Sequence, residues 1–112
     1  MRDDRLYLIN IKESIDRIQH YVEDGREAFS TSTLIQDAVL RNFQTIGQSA
    51  GRISDDLRKR HSDVDWRGIV GFRNVLVHDY LGVDLDRVWQ VVEHDLPELE
   101  QQIALILQSE DD

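Results

Sequence analysis

Apolar residues recur at intervals of three and four along most of this chain, a spacing that leaves little room for any architecture but packed helices. Leu8, Ile11, Ile15, Ile18 and Val22 form a first stripe, on a helix expected to open near Asp3 or Asp4, with Gly25 just beyond it. After the polar stretch FSTST, a second stripe runs through Ile35, Val39, Phe43, Ile46, Ala50, Ile53 and Leu57. With Thr31 to Thr33 as N-caps, it predicts one helix of about seven turns. On that helix Gly47 and Gly51 sit four apart on one face, where the missing side chains would permit close approach of another helix. A third helix should open near Ser62 or Asp63, turn Trp66, Ile69, Phe72 and Leu76 inward, and end around Gly82. The fourth stripe, Leu85, Val88, Val92, Leu96, Leu99, Ile103 and Ile106, is crossed by the only proline, Pro97. Asp95 can cap a fresh start there, so a kink or a break is expected. No segment alternates with period two long enough to argue for a strand. The expected fold class is therefore all-α, an up-and-down four-helix bundle with the fourth helix kinked or split at Pro97.

A chain of 112 residues suits one domain spanning 1–112, since two separate cores would each be too small. There is no cysteine, which removes disulfides, thiolate metal sites and a thiol nucleophile and suggests a reducing compartment. The start MRDDRLYLIN has no apolar secretory core, and no stretch is apolar enough to span a bilayer; a cytoplasmic location is expected. The net charge of −9 argues at first against a nucleic-acid partner. Its distribution weakens the objection: residues 79–112 hold ten acids against Arg87 alone, whereas residues 1–78 hold twelve acids and twelve bases. Within the neutral front, Arg58, Lys59, Arg60, His61, Arg67 and Arg73 form a basic run able to meet phosphate, or simply a solvated helix end.

His20, His61, His78 and His94 are scattered, with no pair at metal-ligand spacing, so no metal site and no cofactor is expected. Glycine-rich phosphate loops and nucleophile elbows need strands that the pattern lacks. What remains is RNVLVHDY, residues 73–80, which places Arg73, Asn74, His78, Asp79 and Tyr80 at the end of an otherwise apolar helix. At ~100° per residue, Arg73 and Tyr80 fall ~20° apart and Asn74 and His78 stack one turn apart, while Arg73 and His78 are separated by ~140°. Val70 and Val77 lie on the arc between these two, away from Ile69, Phe72 and Leu76. A second apolar face calls for a partner, and a two-fold homodimer around it would bring both copies of Arg73 and His78 to one shared groove. An arginine and a histidine near a helix C-terminus also serve simply to satisfy its last carbonyls and its dipole.

At these residues the sequence resembles a known family. Arg-x4-His-x-Tyr with asparagine directly after the arginine is similar to the HEPN signature in the form found in HepT toxins. The likeness extends through DAVLRNFQTIGQSAGRIS (37–54), WRGIVGFRNVLVHDYLGVD (66–84) and RVWQVVEHDLPELEQQI (87–103). One departure is Gln48, in Ile46-Gly47-Gln48-Ser49, where the family commonly has glutamate.

The resemblance implies a metal-independent endoribonuclease, the toxin of a toxin–antitoxin pair, acting on RNA and partnered by a nucleotidyltransferase antitoxin of the MntA kind. It makes His78 the acid or base, Arg73 the phosphate clamp and Asn74 a supporting polar residue. Tyr80 becomes the residue on which the antitoxin places AMP; otherwise it is a half-buried aromatic with its hydroxyl at the surface. The alternative from a different class is a non-catalytic helical binding module that docks a nucleotidyltransferase or a nucleotide.

Overall fold

The computed structural model describes residues 2–78 and 82–110, with the side chains of Arg2 and His78 outside the description. Its elements are α1 (Arg2–Tyr21), α2 (Arg26–Thr31), α3 (Thr33–Gly51), α4 (Asp55–Arg60), α5 (Trp66–His78), α6 (Leu85–Gln90), a π-helical turn (Val91–Asp95) and α7 (Leu96–Glu110). The all-α expectation is met, with no strand among the described residues. In the resulting body, 43 × 27 × 20 Å, α3 packs between α1 and α5, and α7 lies against α1. None of the described helices is long and apolar enough to cross a membrane.

Each long helix buries the stripe its spacing defines. Leu8, Ile11, Ile15 and Ile18 of α1 are fully buried against Val39, Phe43, Ile46 and Ala50 of α3, and Ile103 and Ile106 of α7 join the same core. Each such side chain contributes roughly 1.5–3 kcal/mol. The acids Asp3 and Asp4 sit in the first turn of α1, where they meet the positive end of the helix dipole.

Three features depart from the expected four helices. The stretch around FSTST is not a plain connection: α2 starts after Gly25, whose φ of 97° is left-handed, and buries Phe29 against Trp89 at 5.5 Å between ring centroids. The anticipated seven-turn helix stops at Gly51, and Ser54 caps a separate α4 by accepting the Leu57 amide at 3.2 Å. Asp4 enforces the break, since its buried carboxylate accepts the Ser54 amide at 2.8 Å and the Ser54 hydroxyl at 2.6 Å. The third helix opens later than expected, at Trp66, because Asp65 accepts the Gly68 amide at 3.0 Å while the Trp66 indole donates to the His61 carbonyl.

The fourth helix does split before Pro97, though Asp95 makes no capping hydrogen bond. Proline has no amide to offer the Glu93 carbonyl, and its ring crowds that group. The chain takes a wider turn instead, in which the Leu96 amide reaches back to the Val91 carbonyl.

Candidate active site

The motif helix α5 meets α3 at one close point. A Cβ added to Gly47 would collide with the Cβ of Arg73 and lie 2.9 Å from its Cγ and Cδ, so the aliphatic stem of the arginine lies directly on the glycine. One turn further on, Gly51 faces Val70, whose Cγ2 would stand 3.9 Å from an added Cβ, ordinary contact. The requirement for glycine at position 47 is thus set by proximity to α5, not by an unusual backbone angle.

Arg73 is half-buried, and its Nε is sealed from solvent with no hydrogen-bond partner; the guanidinium makes no ion pair among the described residues. The Nε of Arg58 is likewise sealed, but that guanidinium donates to the Ala50 carbonyl, whereas none of the described hydrogen bonds engages Arg73. A guanidinium seated on its stem, without an ion-pair partner among the described residues, is suited to clamp an anion.

Arg67 and Asn74 are exposed and seven residues apart, hence ~20° apart around α5. His78 continues their stripe one turn beyond Asn74, with its backbone in the last position of α5. The side chain of His78, and all of Asp79, Tyr80 and Leu81, lie outside the described residues. The structure therefore places Arg73 and Asn74 and is silent on the partnership of Arg73 with His78 and on Tyr80. Gln48, in the position where the family commonly has glutamate, is exposed beside Gly47.

Two expectations about this helix change. Val70 is half-buried and packs on the core of its own chain. The valines that stay uncovered are Val75, 45% exposed, and Val77, 42% exposed. The basic run also shrinks. Arg58 is spent on the Ala50 carbonyl at 2.7 Å, Arg60 on Asp56 and Glu110, and His61 on Glu110 at 3.0 Å. Glu110 is held below the usual carboxylate range by the hydrogen bond from His61, with the Arg60 charge helping. This cluster ties the end of α4 to the end of α7 and is structural. Lys59, Arg67 and Arg73 remain without an acidic partner among the described residues. Those residues contain no group of three or more His, Asp or Glu arranged to hold a metal.

Known proteins agree with the reading of the motif blocks. The family model "Ribonuclease HepT-like" matches residues 11–106, and the chain belongs to that family. A Methanocaldococcus jannaschii protein named "Gamma-glutamylcyclotransferase and putative RNase" is 35% identical over 98% of this chain, which spans only half of that protein. A Caldanaerobacter subterraneus protein named "Putative RNase" is 32% identical, covering 98% of this chain and 99% of its own length. The Shewanella oneidensis "mRNA nuclease HepT" is 29% identical over 88% of this chain and 92% of its own. No solved structure shows a significant match.

Two features of the candidate site are not evident from the sequence. The pairing of Gly47 with Arg73 was invisible, although the Gly47/Gly51 spacing announced a close helix crossing. Arg67 follows the Arg58–His61 run in sequence, and its seven-residue offset from Asn74 is the signal that assigns it to the motif face.

Proposed function

We propose that this protein is a metal-independent endoribonuclease acting as the toxin of a toxin–antitoxin pair, cleaving RNA with Arg73 and His78 in a groove formed by two copies of α5. The observation that carries this reading is the guanidinium of Arg73, fixed on Gly47 without an ion-pair partner among the described residues, beside a polar stripe of Arg67 and Asn74. In the proposed reaction the ribose 2′-oxygen attacks the adjacent phosphorus as a general base removes its proton. The 5′-oxygen then leaves with a proton from a general acid, and arginine neutralises the pentacoordinate phosphorane between the two steps. His78 serves as base, acid or both, the roles open to an imidazole near neutral pH. Because Arg73 and His78 diverge by ~140° on one helix, the working pair is contributed across a two-fold axis. Exposed Val77, on the arc between Arg73 and His78, supplies apolar surface for that axis.

A nucleotidyltransferase antitoxin silences the enzyme by attaching AMP to Tyr80, seven residues beyond Arg73 in the sequence. The added phosphate competes with RNA for the arginine. The test is RNA cleavage in EDTA. Arg73→Ala and His78→Ala are each expected to abolish it while leaving far-UV circular dichroism and oligomeric state unchanged. Full activity in either variant refutes the assignment, and cleavage by neither variant nor parent favours a binding module.

A further inference from the structure

Across α5 from the Arg67–Asn74 stripe lies a cavity of about 370 Å³, enclosed by α3, α5 and the arm formed by α6, the π turn and α7. Its floor is apolar, built by Phe43 and Ile46 of α3, Ile69 and Phe72 of α5, and Leu96 and Leu99 of α7. Phe43 and Phe72 meet edge to face there at 5.3 Å. The rim is acidic: Asp63 and Asp65 stand before α5, Asp95 closes the π turn and Glu98 begins α7, against Arg87 alone. Asp65 is engaged with the Gly68 amide. Asp63, Asp95 and Glu98 are exposed and have no basic partner among the described residues.

This combination selects its occupant. The volume lies within the ~300–1,000 Å³ range of pockets that take a small ligand or one large side chain. Phosphate-bearing ligands are repelled by the rim, so the cavity is not an extension of the RNA groove. Apolar walls ask for an aromatic or large aliphatic group, and the free carboxylates around them ask for positive charge on either side of it. A short basic segment with a single apolar anchor meets both demands, the anchor supplying affinity and the flanking charges register and capture rate.

We propose that this cavity is a docking site for a partner protein, which inserts one large apolar side chain between Phe72 and Leu99 and sets flanking lysines or arginines on Asp63, Asp95 and Glu98. The proposal does not depend on nuclease activity. It does place the partner on the helix that bears the arginine, since Phe72 lines the cavity and the next residue is Arg73.

The probe is a fluorescein-labelled peptide with a central tryptophan flanked on each side by two arginines, titrated against the whole chain by fluorescence anisotropy. Saturable binding is expected, weakened at least about tenfold in the double variant Asp95→Asn/Glu98→Gln. The double variant Asp24→Asn/Asp37→Asn changes the net charge equally at exposed acids that do not line the cavity, and should leave binding within about twofold. Replacing the tryptophan by alanine should also weaken binding about tenfold. Equal weakening by both charge pairs means diffuse attraction to an acidic protein and overturns the proposal. So does undiminished binding of the alanine peptide, absence of saturation, or equally tight binding of tryptamine, which would make the cavity a small-ligand site.

Discussion

Replacing Gly47 with alanine adds one methyl group at the point where α3 and α5 touch. The new atom would collide with the Cβ of Arg73 and stand 2.9 Å from its Cγ and Cδ. A Cβ is anchored to the backbone, so a rotamer change of the arginine does not relieve the clash, and α5 must lift or slide. Overpacking of this kind costs about 1–3 kcal/mol. Alanine returns up to ~1 kcal/mol through helix propensity inside α3. The net expectation is a loss of about 1–2 kcal/mol, a fall in melting temperature on the order of 5–10 °C. On the role proposed for Arg73, function should suffer more than stability, because displacing a clamping cation by about 1 Å can cost on the order of a hundredfold in rate. Gly51→Ala is the internal control: the same chemistry one turn away meets Val70 at 3.9 Å and should be within about 0.5 kcal/mol of the parent, with full activity. Thermal melts followed by circular dichroism, together with initial rates of RNA cleavage, read both quantities. A Gly47→Ala protein that melts and cleaves like the Gly51→Ala protein would show that Arg73 is not seated by this contact.

Asp4→Ala removes both acceptors of the buried Ser54 pair and should cost about 2 kcal/mol in urea unfolding; a loss below about 0.5 kcal/mol would mean Ser54 caps α4 unaided. The Glu110 carboxyl titrates below its ordinary value of 4.5, so its contribution is present above that pH and is lost as the pH falls through the lowered folded value. Glu110→Gln should cost about 0.5–1 kcal/mol near neutrality and flatten the acid limb of the stability curve, and an unchanged acid limb would count against the clamp. Val77→Glu places a charge on the side of α5 between Arg73 and His78 and should give a monomer in light scattering that no longer cleaves RNA; a persistent dimer moves the interface elsewhere. Tyr80→Phe should remain an active nuclease yet take up no AMP from the cognate nucleotidyltransferase and ATP, and intact-mass detection of AMP on that variant would place the acceptor at another residue.

The apolar stripes were legible because burial in a helical bundle follows periodicity, and Leu8 to Ile18 or Val39 to Ala50 obey it without exception. The break at Ser54 was not, because the stripe passes through it intact: Ile53 and Leu57 are buried on both sides, and the residue that forces the cap, Asp4, lies fifty positions away. Pro97 announced a discontinuity, but a proline does not state whether a cap or a widened turn will absorb it. At the site, Arg73 and Asn74 could be named from the motif. The seat of Arg73 is a contact between helices and has no sequence signature beyond a glycine. The basic run misled for a related reason, since charge counted along a chain says nothing of Glu110 waiting at the far end of α7.

The π turn has a consequence for what lengths of chain this fold accepts. An i→i+5 turn holds one residue more than an α-helical one, which shifts the angular phase of everything after it by ~100°. The apolar steps Val88 to Val92 to Leu96 are two successive fours, an overshoot of ~80° on an ideal helix, and the wide turn absorbs it. Deleting a single exposed residue such as His94 would remove the extra residue and let the segment close into ordinary helix with Ile103 and Ile106 still on the core face. Inserting one more residue there would instead rotate both by ~100° out of the core, although no buried side chain had been touched. The arm from Leu85 to Glu110 is thus phase-locked against insertion, and within it the count of residues is as much a structural constraint as their identity.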